Sequence, residues 1–64
     1  MKYIVSYGED VQTFDDRQEA VSRARELSES GRATVEWSTR ISHETLHYAD
    51  GELQSSDSEN LLRR

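Results

Sequence analysis

The sequence contains no cysteine and no proline, and it has three glycines. Without cysteine the chain forms neither a disulfide nor a thiolate metal site. No run of apolar residues exceeds three, which is too short for the core of a signal peptide or for a membrane-spanning helix. These absences predict an unexported protein of the cytoplasm with no contact to a membrane.

Cationic residues are also scarce. The chain has one lysine, Lys2, and seven arginines against thirteen acidic residues, which gives a net charge of −5. Clustered cations bind nucleic-acid phosphates and anionic lipids, so we expect neither as a direct partner. Residues 54–64 hold two acids and two bases, which assigns the net charge to residues 1–53. The acidity either keeps the protein soluble or complements a basic surface on a protein partner.

The size of the chain limits what it can enclose. With 64 residues it forms one domain, and a domain this small buries only roughly 60% of the surface exposed by its unfolded chain. Its apolar residues, 33% of the total, suffice for one layer between a sheet and a helix. They do not also line a substrate cavity of the usual ~300–1,000 Å³. We therefore expect no enzyme, no catalytic residue and no cofactor, and we predict a monomer.

Hydrophobic periodicity predicts an α+β domain over residues 1–54, in the order ββαββ. Its largely antiparallel four-stranded sheet carries one helix packed on one face. The predicted strands cover residues 2–7, 11–14, 33–41 and 45–49, and the helix covers residues 16–30. The inward-facing residues of these elements are predicted to be Tyr3, Val5, Tyr7, Ala20, Ala24, Leu27, Ala33, Val35, Trp37, Ile41, Leu46 and Tyr48.

Glycines mark the expected turns and the end of the helix. Gly8 lies in a predicted hairpin turn, Asp50-Gly51 is a strong two-residue turn signal, and Gly31 stands where a left-handed helix terminator belongs. Residues 52–54 are also compatible with a short fifth strand. From residue 55 the chain is polar, and we expect residues 55–64 to be a mobile tail or one short helical turn.

Residues 43–47 spell His-Glu-Thr-Leu-His, the H-E-x-x-H pattern of zinc metallopeptidases. In those enzymes the pattern lies on a helix, where both histidines bind zinc and the glutamate is the base. In a strand, at ~3.3 Å per residue, His43 and His47 lie about 13 Å apart and share no ion. Both conformations fit the local sequence. A zinc-dependent hydrolase is therefore an alternative function, but we expect no metal site.

Two fragments resemble small bacterial domains of strand–strand–helix–strand plan, whose activity is not known. They are Phe14-Asp15-Asp16-Arg17-Gln18-Glu19-Ala20-Val21 with the following Ala24-Arg25-Glu26-Leu27, and His47-Tyr48-Ala49-Asp50-Gly51-Glu52-Leu53-Gln54. In size, acidity and absence of cysteine, the chain is also similar to small acidic inhibitors carried by phages, including anti-CRISPR proteins. That second resemblance implies an inhibitor that imitates DNA.

We therefore predict a non-enzymatic protein-binding module that occupies a basic, nucleic-acid-binding surface of a protein partner. Strand positions two apart are about 6.6 Å from each other, a spacing comparable to that of successive phosphates. The competing interpretation is a housekeeping or regulatory module whose acidity serves solubility. The residues predicted to contact the partner lie in or beside strands, and they are Glu9, Asp10, Glu36, Glu44, Asp50 and Glu52.

Overall fold

The computed structural model describes residues 1–62, which form a five-stranded sheet with one helix across one of its faces. The strand order across the sheet is β2-β1-β3-β4-β5, and every neighbouring pair is antiparallel. In chain order the elements are β1 (Tyr3–Tyr7), β2 (Asp10–Phe14), α1 (Arg17–Ser28), β3 (Arg32–Ser38), β4 (Ser42–Ala49) and β5 (Glu52–Asn60).

The α+β class is confirmed, but the prediction of a four-stranded sheet in the order ββαββ is wrong. The structure has a fifth strand, β5, which pairs with β4 from Glu52 opposite Ala49 to Asn60 opposite Ser42. β5 contains none of the β-branched and aromatic residues on which strand predictions rest. Its conformation comes from the backbone hydrogen bonds to β4, which the composition does not reveal.

β5 also crosses the domain boundary that the sequence predicts at residue 54. The segment expected to be a tail is strand as far as Asn60, although every residue of β5 is exposed. The Leu61 amide then donates to the Ile41 carbonyl oxygen at 2.8 Å, which closes the hairpin where β4 begins. The predicted tail also includes Arg63 and Arg64, which lie outside the described residues.

The helix packs on the sheet through small residues. α1 begins after Asp16, whose carboxylate accepts a hydrogen bond from the Gln18 amide at 3.2 Å and so caps the first turn. Ala20 and Ala24 are completely buried against the sheet, and Leu27 packs beside them. The predicted inward face of the helix is confirmed, and its short side chains let α1 approach the sheet closely.

The core lies between α1 and the three central strands β1, β3 and β4. Two predictions about its edges are wrong. Ile41 is 53% exposed, because β3 ends at Ser38 and Ile41 belongs to the loop before β4. Gly31 does not have a positive φ angle; it lies against the Tyr7 ring, where a Cβ atom would be 3.2 Å from Cε1. The buried apolar residues are Val5, Ala20, Ala24, Ala33, Val35, Trp37 and Tyr48.

Candidate functional site: the acidic β4–β5 hairpin

One face of the sheet carries α1, and the other, which we call the open face, is covered by no element within residues 1–62. Successive side chains of a strand point to opposite faces of the sheet, so the residues on either side of a buried one in β3 or β4 lie on the open face. From β3 and β4 these are Glu36, His43, Thr45 and His47, and from β5 they include Glu52, Asp57 and Glu59.

Thr45 lies between two carboxylates on the open face. It pairs with Glu36 on one side and with Asp57 on the other. Glu36 is 3.1 Å from His43 Nε2, and Asp57 is 2.9 Å from His47 Nε2. The register also places Glu59 opposite His43. Both histidines of the chain are therefore engaged with acids on one surface.

His43 bridges a hydroxyl and a carboxylate, since its Nδ1 atom is 2.7 Å from Ser38 Oγ while its Nε2 atom contacts Glu36. A hydroxyl, an imidazole and a carboxylate in sequence are the components of a serine-hydrolase relay. Such a relay also needs oxyanion donors and a cavity for substrate. Ser38 is exposed at the end of β3, and it lines neither the cleft near Arg32 nor the cleft near Arg17. We therefore interpret the contacts of His43 with Ser38 and Glu36 as holding the His43 ring in place.

The H-E-x-x-H residues lie in strand β4, not on the helix that a zinc peptidase requires. His43 and His47 face the open side, whereas Glu44 pairs with Trp37 and lies on the side of α1. The pattern therefore does not place two imidazoles and a carboxylate on one face. Within residues 1–62 no group of three or more His, Asp or Glu side chains is placed to hold a metal ion.

The charge of the protein is concentrated in the β4–β5 hairpin, residues 42–60. This hairpin contains no lysine or arginine, so its formal charge equals the −5 of the whole chain. Residues 1–53 have the same net charge, but a division of the chain at residue 53 separates Asp57 and Glu59 from the acids of β4. The five acids of the hairpin are Glu44, Asp50, Glu52, Asp57 and Glu59.

Elsewhere in the molecule several acids have cationic partners. Lys2 Nζ is 2.7 Å from Asp15, and Arg23 Nη1 is 2.8 Å from Glu26. The hydrogen bond and positive charge of Lys2 hold the pKa of Asp15 below its ordinary value. By contrast, no Lys or Arg of the described chain forms a salt bridge with a hairpin acid, and Asp57 pairs with a histidine.

The six predicted partner-binding acids do not form one group. Asp50, Glu52 and Glu44 belong to the hairpin, and Glu44 accepts a hydrogen bond from Ser58 at 2.9 Å. Glu36 lies beside the hairpin on β3. Glu9 and Asp10 are exposed at the β1–β2 turn, which lies at the same end of the sheet as Asp50 but is separated from it by β1 and β3.

Asp57 and Glu59 are the site residues that sequence reasoning missed. They alternate with serines at positions 56 and 58, which is the period-two pattern of a strand. That alternation was the available signal, and it is weak because serine has no preference for strands. Pairing with β4 places both residues on the open face, at strand positions about 6.6 Å apart.

No family model matches the chain, and neither the curated proteins nor the solved structures contain a match to it. No helix within residues 1–62 is long and apolar enough to cross a membrane. The fold and the surface together define a small α+β domain with an acidic hairpin at one edge of its sheet, whose outer strand β5 is exposed.

Proposed function

We propose that the protein is a non-enzymatic binding module whose acidic β4–β5 hairpin occupies a basic surface of a protein partner. The observation that carries this proposal is the concentration of five carboxylates, without a lysine or arginine, in one hairpin whose outer strand β5 is exposed along its length. Opposite charges across an interface accelerate encounter and select the partner.

The conformation of the hairpin supports a role in binding. β4 pairs with β3 along its length, and α1 holds the β4–β5 turn through Ser28, so the acids are presented by a folded element. A charged surface that is already ordered loses little conformational entropy when it binds. The same acids in a mobile tail would lose more, and would bind more weakly for an equal charge.

In the specific form of the proposal, the basic partner surface is one that binds nucleic acid, and the module is an inhibitor that competes for it. Asp57 and Glu59 occupy positions of one strand about 6.6 Å apart, a spacing comparable to that of successive phosphates. We place this activity in the cytoplasm, by a monomer that does not itself bind nucleic acid. An anti-CRISPR or other anti-defence inhibitor carried by a phage fits these properties.

The test compares two variants of equal net charge. The hairpin variant carries E44Q, D50N, E52Q, D57N and E59Q. The control variant carries five neutralisations at acids outside the hairpin that were not predicted to contact the partner: Asp15→Asn, Asp16→Asn, Glu19→Gln, Glu26→Gln and Glu29→Gln. A partner is first captured from cell extract on wild-type protein and identified. Its affinity for each variant is then measured from 50 to 500 mM salt, together with its displacement from a duplex oligonucleotide.

We expect the hairpin variant to bind at least about tenfold more weakly, with a flatter dependence on salt, because screened charges contribute less to the interface. The control variant should bind like the wild type. The unfolding midpoint of the hairpin variant should change little, since exposed charges contribute little to stability. Equal binding by all three proteins would contradict the proposal and assign the acidity to solubility.

A further inference from the structure

β5 is an edge strand with an unpaired outer side. It pairs with β4 alone, and no other described strand lies beside it. In an antiparallel strand, alternate residues direct their N–H and C=O groups to opposite neighbours. About half of the backbone hydrogen-bonding groups of β5 therefore point outward, where they are available to another chain.

β5 has some of the features that normally protect an edge strand and lacks others. Natural edges are kept short, carry charged side chains or proline, or are distorted by bulges. β5 is nine residues long, against five for β2 at the opposite edge, and it contains neither proline nor lysine. Its register shifts near Tyr48, where Gln54 is the extra residue, and residues 55–60 then pair regularly with β4. This regular segment is a template for strand addition.

The charge of β5 determines what can be added. Between residues 52 and 60 the strand has three acids and no base. A second copy of β5 would bring carboxylates close to carboxylates, and like charges on paired strands are destabilising. A strand with cations at alternate positions would instead place them beside Asp57 and Glu59. Charge complementarity thus favours a basic extended segment over a second copy of this chain.

We propose that β5 binds an extended segment of the partner as a sixth strand of the sheet, with lysine or arginine at alternate positions of that segment. This inference rests on the proposed function and specifies how the hairpin binds. Backbone hydrogen bonds to residues 55–60 supply a ladder, as in other complexes formed by strand addition. The cations on the open face set its register, because a shift by one residue would turn them away from the acids.

The test uses two synthetic peptides as probes. One alternates Lys with Thr, and the other has the same composition with all its lysines contiguous. Binding is measured by fluorescence anisotropy, and hydrogen exchange of the amides of residues 55–60 is followed by NMR. We expect the alternating peptide to bind at least tenfold more tightly and to slow exchange of the outward-pointing amides.

A pair of proline variants tests the edge without changing its charge. Ser55→Pro and Ser56→Pro change adjacent residues, so one of them removes an N–H that points outward and the other removes an N–H directed at β4. We call the first the outward variant; it is the one whose unfolding midpoint stays close to that of the wild type. Its affinity for the alternating peptide should fall at least tenfold. The double variant D57N/E59Q, which keeps the backbone edge, should lose the preference for the alternating peptide.

The outcomes distinguish the failure of this inference from the failure of the proposed function. Equal affinity for the two peptides, or wild-type affinity in the outward proline variant, would overturn strand addition. If partner capture by the hairpin acids were still sensitive to salt, the proposed function would stand without it. If the variant neutralised at all five hairpin acids also captured its partner as the wild type does, both would be overturned.

Discussion

The amide of Gly51 donates a hydrogen bond of 3.0 Å to the hydroxyl of Ser28, the last residue of α1. Ser28 is completely buried; its hydroxyl donates to the Arg25 carbonyl at 2.9 Å, and its own carbonyl accepts from the Asp50 amide at 2.9 Å. Asp50 and Gly51 have φ angles of 56° and 76°, as in a two-residue turn with both residues left-handed. The end of the helix thus fixes the position of the acidic hairpin.

The first prediction follows from this contact. Ser28→Ala should lower the free energy of unfolding by about 1–2 kcal/mol, because the Gly51 amide loses its acceptor in a partly buried site. Urea denaturation measures the change. Ser22→Ala, at an exposed position of the same helix, is the control and should have almost no effect. Equal stability of the two variants would show that the contact does not stabilise the fold.

A second prediction concerns the packing of α1 on the sheet. Ala24 has no exposed surface, so Ala24→Leu has no space for its added atoms and should destabilise the fold by ~1–3 kcal/mol. The control is Ser22→Leu, which adds a side chain on the solvent side of α1. Thermal unfolding followed by circular dichroism distinguishes them, and an unchanged midpoint for Ala24→Leu would mean that the helix packs through another face.

The third prediction is the effect of deleting residues 55–64. The deletion removes exposed side chains from residues 55–62 together with the backbone hydrogen bonds of β5 to β4, each worth about 0.5–1.5 kcal/mol. We expect the core around Trp37 to keep its native near-ultraviolet spectrum while the free energy of unfolding falls by at least about 2 kcal/mol. A shortened chain as stable as the wild type would show that β5 is not held to the sheet.

The fourth prediction is the pH dependence contributed by Asp15. Because Lys2 lowers the pKa of Asp15 in the folded state, the pair stabilises the protein above the ordinary pKa of an aspartate. That contribution is lost as the pH falls through the lower, folded value. Lys2→Ala should return the pKa of Asp15 towards the ordinary value, as measured by NMR titration of its carboxyl carbon. Arg25→Ala is the control, and an equal shift there would exclude a specific effect of Lys2.

The candidate site could be predicted only in part. Asp50 and Glu52 were accessible from the sequence because the Asp50-Gly51 turn signal places them between two strands. Asp57 and Glu59 were not, because a polar segment such as Ser55–Asn60 is equally typical of a disordered tail. When residues 55–64 are grouped as one tail, the charges of Asp57 and Glu59 cancel those of Arg63 and Arg64. The concentration of negative charge in the hairpin is then not visible.

The sequence by itself determined the helix, its buried face and the first two strands. These depend on local properties: the Asp16 cap, the spacing of Ala20 and Ala24, and the alternation of apolar residues in β1. Only the tertiary structure decided that His43 and His47 lie in a strand and that β5 exists. Both segments fit more than one conformation locally, and pairing across the sheet selects one of them through backbone hydrogen bonds that do not depend on side-chain type.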